Sequence, residues 1–131
     1  MKPVVLWYKV DKAKISRLRP VLSLMGVELR DISGNALSDR IGYLACPEEF
    51  ENTAEQPIGG SAPGFEFMLF CGMEKPMLDK VLDFMKKNRL NVSHKAMLTE
   101  TNADWSLGRL LGEINAEHQM IAAQLKSKKN N

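Results

Sequence analysis

Two stretches of the same build lie 63 positions apart, and they limit what this chain can fold into more than anything else in it. Val4 to Trp7 and Phe65 to Cys71 are apolar at nearly every position, so neither has a face suited to water. Strands of that kind belong in the middle of a sheet covered on both sides. Each leads into a helical pattern: Ile15, Leu18, Leu22 and Met25 after the first, Leu78, Val81, Leu82 and Met85 after the second. Sliding the first half by 63 positions puts Leu6 on Leu69, Trp7 on Phe70, Asp11 on Glu74, Leu18 on Val81 and Leu29 on Val92. Strand–helix–strand units align readily because their apolar periods agree. The match therefore reads as two similar βαβ units and not as proof of duplication.

The remaining elements follow from punctuation. Gly26 suits the end of the first helix, and Val27 to Ile32 alternates like an edge strand. Pro20 should kink that helix or open its second part. Ser38 to Ala45 reads as a short helix with Ile41 and Leu44 inward. Residues 46–64 hold Pro47, Pro57, Pro63 and three glycines beside Glu48, Glu49, Glu51 and Glu55, an acidic loop rich in helix and strand breakers. Leu90, Val92, His94, Ala96 and Leu98 share one face of the next strand. Leu107, Leu110, Leu111, Ile114, His118, Ile121, Ala122 and Leu125 form the stripe of a last helix, and residues 126–131 are a polar tail.

These elements predict an α+β fold of one domain over residues 1–125. The preferred architecture is a ferredoxin-like four-stranded sandwich of two βαβ units plus a C-terminal helix. A small parallel three-layer α/β sheet is the alternative, and it needs a true crossover helix near Ser38. In both, the strands through Leu6 and Leu69 are central. Something must cover Val5, Trp7, Met68 and Phe70. Failing the last helix, a second copy docked on the sheet face near Trp7 and Phe70 would do so.

Lys95 to Trp105 is the most informative segment for a site. Alternation gives way to helical spacing through Thr99, Thr101 and Asn102, which reads as a strand running into a capped helix. Free amides at such a start, with Lys95 and Lys75, could hold a carboxylate or phosphate. Glu100 and Asp104 would oppose one, and helix capping is the commoner use of these residues. Trp105 is expected between the last helix and the sheet.

Lys95-Ala96, Leu98-Thr99, Thr101-Asn102, Trp105, Leu110-Leu111 and Glu117-His118 resemble the signature of the bacterial domain-of-unknown-function family 3783. The resemblance runs from the strand at Phe65 to His118. Members often place Pro where this chain has Glu100. The resemblance nominates Lys95, Thr99, Thr101, Asn102, Trp105 and His118 as ligand-binding candidates and implies neither an activity nor a cofactor.

Other chemistry is sparse. Cys71 is the best nucleophile candidate, since Gly72 leads from it into a helix whose amino end could stabilise a thiolate. It shares a strand face with Phe65, Phe67 and Leu69, which favours an inert buried thiol. Cys46 has no activating neighbour. Glu117 points away from His118 around the helix, so His94 and His118 suggest no metal site. The helix with Lys12, Lys14, Arg17 and Arg19 reads as a solvated charged face. With a net charge of +2, composition argues against nucleic acid. No run approaches a membrane span. Free thiols suit a reducing cytoplasm. The reading that follows is a non-catalytic binding, regulatory or interaction domain. A thiol-dependent enzyme or redox protein using Cys71 is one alternative, and an RNA-binding sandwich using Trp7 and Phe70 is another.

Overall fold

Val4–Tyr8 forms β1 and Phe67–Cys71 forms β3, both buried at every position, and they pair antiparallel at the centre of a four-stranded sheet. A computed structural model describes residues 1–52 and 63–115. Glu117, His118, the rest of the last helix's predicted stripe, the tail and most of the acidic loop lie outside the described residues. β2 (Glu28–Asp31) runs parallel to β1 on one edge, and β4 (His94–Met97) runs parallel to β3 on the other, giving the order β2-β1-β3-β4. Helices α1 (Lys12–Leu24) and α3 (Lys75–Lys87) link the strands of each unit. A short α2 (Ile41–Ala45) and a last helix, α4, described over 107–115, complete the chain.

The helices divide between the two faces of the sheet. Ile15, Leu18 and Leu22 of α1 and Leu78, Val81 and Met85 of α3 bury Val5, Trp7, Met68 and Phe70. Ile41 and Leu44 of α2 and Leu107, Leu110 and Leu111 of α4 bury Val4, Leu6, Phe67 and Leu69 on the opposite face. Trp7 is 8% exposed and Phe70 3%, both under the chain's own helices. The face expected to receive a second copy, or RNA bases, is therefore already occupied. A chain that crosses over twice on one side of its sheet supplies that cover itself.

The class, the paired βαβ units and the two central strands are those expected from the sequence. The strand order differs from a ferredoxin-like sandwich, whose split units interleave their strands. Here the two strands of each unit are direct neighbours. The alternative, a wholly parallel sheet, is excluded by the antiparallel β1–β3 pair. Two right-handed units whose helices share a face produce this order only when the second is inverted against the first. The long connection after β2 permits the inversion, because it crosses to the far face and carries α2 with it.

The internal match is closer than apolar periodicity alone requires. Shifted by 63, β1 falls on β3 and α1 falls on α3, end for end. The β1–β3 register, Val4↔Cys71 through Tyr8↔Phe67, maps onto itself under the same shift, with Leu6 facing Leu69 at its centre. Backbone detail follows. Lys9 and Gly72 leave the strands with φ of 52° and 67°, and Gly26 and Arg89 leave the helices with φ of 74° and 55°. Val27 then donates to Leu22 O and Leu90 to Met85 O, each at 2.8 Å, closing both helices with the same Schellman-type bond. Lys9 and Arg89 hold left-handed conformations that favour glycine, at about 1 kcal/mol or more each. The repeat is kept at that cost.

The correspondence lapses after α3. Leu29 pairs with Val5 and Lys95 with Met68, so the β4 unit is three residues longer than the first and Val92 is not the partner of Leu29. Leu90 and Val92 join the α1/α3 core, whereas Ala96 and Leu98 pack on the opposite core. The run predicted as one strand face is thus split at Ser93. α1 passes through Pro20 without ending. Ser16 and Pro20 are both exposed, so the carbonyl that loses its partner is left to water.

Leu6 and Leu69 are 0% exposed, whereas Leu24 is 90% exposed. Leu6→Ala and Leu69→Ala should each cost about 2–5 kcal/mol in denaturant unfolding, and Leu24→Ala should stay within about 0.5 kcal/mol.

Candidate functional site

The junction nominated by the sequence is built for self-closure. Leu98 donates to Phe70 O and ends β4 against β3. Thr99 N donates to Asn102 Oδ1 (2.8 Å), and Asn102 N donates to Thr99 Oγ1 (3.1 Å). Asn102 Nδ2 also donates to Met97 O at 3.0 Å, satisfying a carbonyl of the edge strand. A 3-10 turn, Asn102–Asp104, follows. Trp105 and Ser106 then separate it from α4, so the strand does not run directly into the helix. Ser106 caps α4, its Oγ accepting from Arg109 N at 3.1 Å.

The amides that an anion would need are taken. Leu107 N donates to Asp39 O and Gly108 N to Leu37 O, both at 2.8 Å, while Ile41 N donates to Trp105 O. The segment before α2 lies directly across the start of α4. A Cβ on Gly108 would sit 3.2 Å from Leu37 Cβ and Leu37 O, and only a bare backbone fits there without a shift. Arg40 locks the contact: its guanidinium pairs with Asp104, donates to Glu51 O and lies 5.5 Å from the Phe50 ring centroid. Asp104 is thus engaged by Arg40 and not held ready for a ligand.

The other nominated residues do not converge on one place among the described residues, and His118 lies outside them. Lys95 is exposed, with Nζ donating to Val92 O at 3.1 Å. Thr101 is exposed on the turn, and Lys75 stands exposed at the first residue of α3. Trp105 is half-buried, with the Arg109 guanidinium 4.5 Å from its ring centroid. Phe50, Leu98, Thr99, Glu100, Ala103 and Asp104 surround a depression of about 340 Å³, but its polar members are carboxylates and a hydroxyl already bonded. His94 is buried, its Nδ1 2.9 Å from Ser93 Oγ and its ring 4.1 Å from that of Phe65. Among the described residues no group of His, Cys, Asp and Glu could hold a metal.

Cys71 is 0% exposed. Burial pushes its thiol up to about 12, against a smaller lowering by Arg30. At neutral pH it carries no thiolate, so the amino end of α3 does not activate it.

A larger opening lies where no site was expected. Met1, Pro3, Met25, Pro76 and Met77, with exposed Glu74 and Lys80, line a cavity of about 560 Å³ between the end of α1 and the start of α3. The internal repeat supplies its counterpart at the other end of the same helices. There, Glu66 stands in place of Pro3, Lys14 in place of Met77, Ala13 in place of Pro76 and Asn88 in place of Met25. Glu66 Oε2 accepts from Asp11 N, and Glu66 Oε1 accepts from Lys14 Nζ, both at 2.7 Å; Lys14 also reaches Asn91 O. Asp11 caps α1 through Ala13 N, a bond that Pro76 cannot make at the start of α3. One corner is thus bridged by an ion pair, and the other holds a methionine-lined cavity. Its signal in the sequence was the mismatch of Pro3 with Glu66 and of Met77 with Lys14 under the 63-residue shift.

Residues 66–121 match the family model described as domain of unknown function DUF3783, which bears out the resemblance over the second βαβ unit and the last helix. No curated protein and no solved structure matches the chain. Among the described residues no helix is long and apolar enough to cross a membrane.

Two outcomes follow from these geometries. Trp105→Ala should cost less than the roughly 3–5 kcal/mol of a fully buried tryptophan, read from the denaturation midpoint. Raised pKa at Cys71 favours the folded state while the thiol stays protonated. That contribution is complete below 9.0 and is lost as pH rises toward about 12. Stability should therefore fall over that window in the parent chain and fall less steeply in Cys71→Ala.

Proposed function

We propose that this chain is a non-catalytic interaction domain of the reducing cytoplasm that receives an apolar side chain of a partner protein in the corner lined by Met25 and Met77. The observation that carries this reading is the difference between the two corners. In one, the Glu66 carboxylate accepts from Asp11 N and pairs with Lys14 Nζ. In the other, each of those contacts is missing, and Met1, Pro3, Met25, Pro76 and Met77, with Glu74 and Lys80, line about 560 Å³, within the usual range for ligand pockets. Methionine side chains are flexible and polarizable, which suits a surface that must fit an incoming group.

Buried Cys71 supports the same reading against a thiol enzyme, since its proton is held far above neutral pH. The burial of Trp7 and Phe70 likewise weighs against base stacking by the sheet.

The repeat supplies the experiment. Pro3→Glu with Met77→Lys transplants the closed corner into the open position. The parent chain should bind the neutral apolar dye Nile red with enhanced fluorescence, and the double variant should lose most of that signal while keeping a cooperative unfolding transition. An unchanged dye signal in a folded double variant would overturn the proposal. Met25→Lys, which changes one wall only, should weaken the signal in the same direction.

A further inference from the structure

The net charge of +2 conceals a segregation of charge between the two outer layers. Helices α1 and α3 carry eight basic residues against two acidic ones. The opposite layer, residues 33–52 and 98–115, carries seven acidic residues against two basic ones. Lys12, Arg17, Arg19, Lys75, Lys80 and Lys86 are all exposed, and none forms an ion pair among the described residues. The open methionine corner lies at one end of this basic layer, with Lys80 and Glu74 both in its wall.

We infer that the corner takes its apolar side chain from an acidic segment of the partner protein, whose carboxylates lie along the basic outer face of α1 and α3. This rests on the proposed interaction at the corner and adds the chemistry of the partner. Charge complementarity selects that occupant. Two copies meeting through this same layer would set basic faces against each other, at a repulsive cost, and a copy presenting its acidic layer brings no apolar anchor shown to fit the corner. Single-stranded nucleic acid would need aromatic platforms, and Trp7 and Phe70 are buried beneath the helices. An acidic segment with an apolar anchor satisfies both features, the cavity fixing register and the cations supplying attraction.

The test uses the full chain and two synthetic peptides with the same central leucine, one flanked by Asp and Glu and the other by Lys. Binding is read by fluorescence anisotropy of labelled peptide, alongside Nile red in the corner. The acidic peptide should bind at least about tenfold more tightly than the basic one at low salt, and lose most of that advantage near 0.15 M salt, where the Debye length is about 8 Å. Arg17→Glu/Arg19→Glu/Lys86→Glu should abolish the preference and leave the Nile red signal intact. The Pro3→Glu/Met77→Lys chain should lose both.

Equal binding of the two peptides, or none of the acidic one, overturns the inference. So does stronger retention of a DNA oligonucleotide or of phosphatidylserine vesicles, or salt-sensitive self-association in sedimentation that excludes the peptide. If these occur with Nile red still bound in the parent chain and lost in the double variant, the corner stands and the acidic partner falls. If Nile red binding itself fails, the corner falls with it.

Discussion

The antiparallel contact between β1 and β3, centred on Leu6 facing Leu69, is what the other elements depend on. Both strands are buried on both faces, so each needs two layers of cover, and neither can find them within its own βαβ unit. Pairing the units head to tail across this seam lets α1 and α3 share one face. The connection after β2 and the last helix then form the other. Apolar burial on this scale contributes about 25 cal/mol per Å², and the seam decides which surfaces can be buried together. Slipping the register by one residue would turn Val4, Leu6 and Tyr8 toward the helices that now cover Val5 and Trp7.

The same seam explains why the molecule is nearly two-fold and why it stops being so. A local axis through the Leu6–Leu69 pair relates strands, helices and the turns that follow them. It also matches the left-handed backbone of Lys9 with that of Gly72, and of Arg89 with that of Gly26. The departures are informative: an ion pair replaced by proline and methionine, and a capped helix start replaced by one with Pro76.

Much of this was legible in residue types. Two-faced apolar strands identified the centre of the sheet, and the helical periods identified what covers them. Ile41 and Leu44 showed the inward side of a helix only five residues long. Strand order was not legible, because apolar period says nothing about which edge a strand joins. The three-residue extension before β4 was hidden, since Val92 is as apolar as Leu29 although it occupies no equivalent place.

For the site, the order reversed. Thr99, Asn102 and Trp105 carried the resemblance to the family and drew attention, yet Thr99 and Asn102 bond each other and Trp105 O accepts from Ile41 N at the start of α2. Sequence shows donors and acceptors without showing that Leu37 and Asp39 will return to the helix start and consume its amides. The open corner, by contrast, depends on residues missing from it, and only comparison of the two halves reveals them. Interstrand nuclear Overhauser contacts in the isotope-labelled chain test the seam most directly. Backbone protons of Val5 and Phe70, Leu6 and Leu69, and Trp7 and Met68 should show the alternating short contacts of an antiparallel pair. A parallel pattern, or contacts shifted to Leu6 facing Met68 or Phe70, would contradict the account.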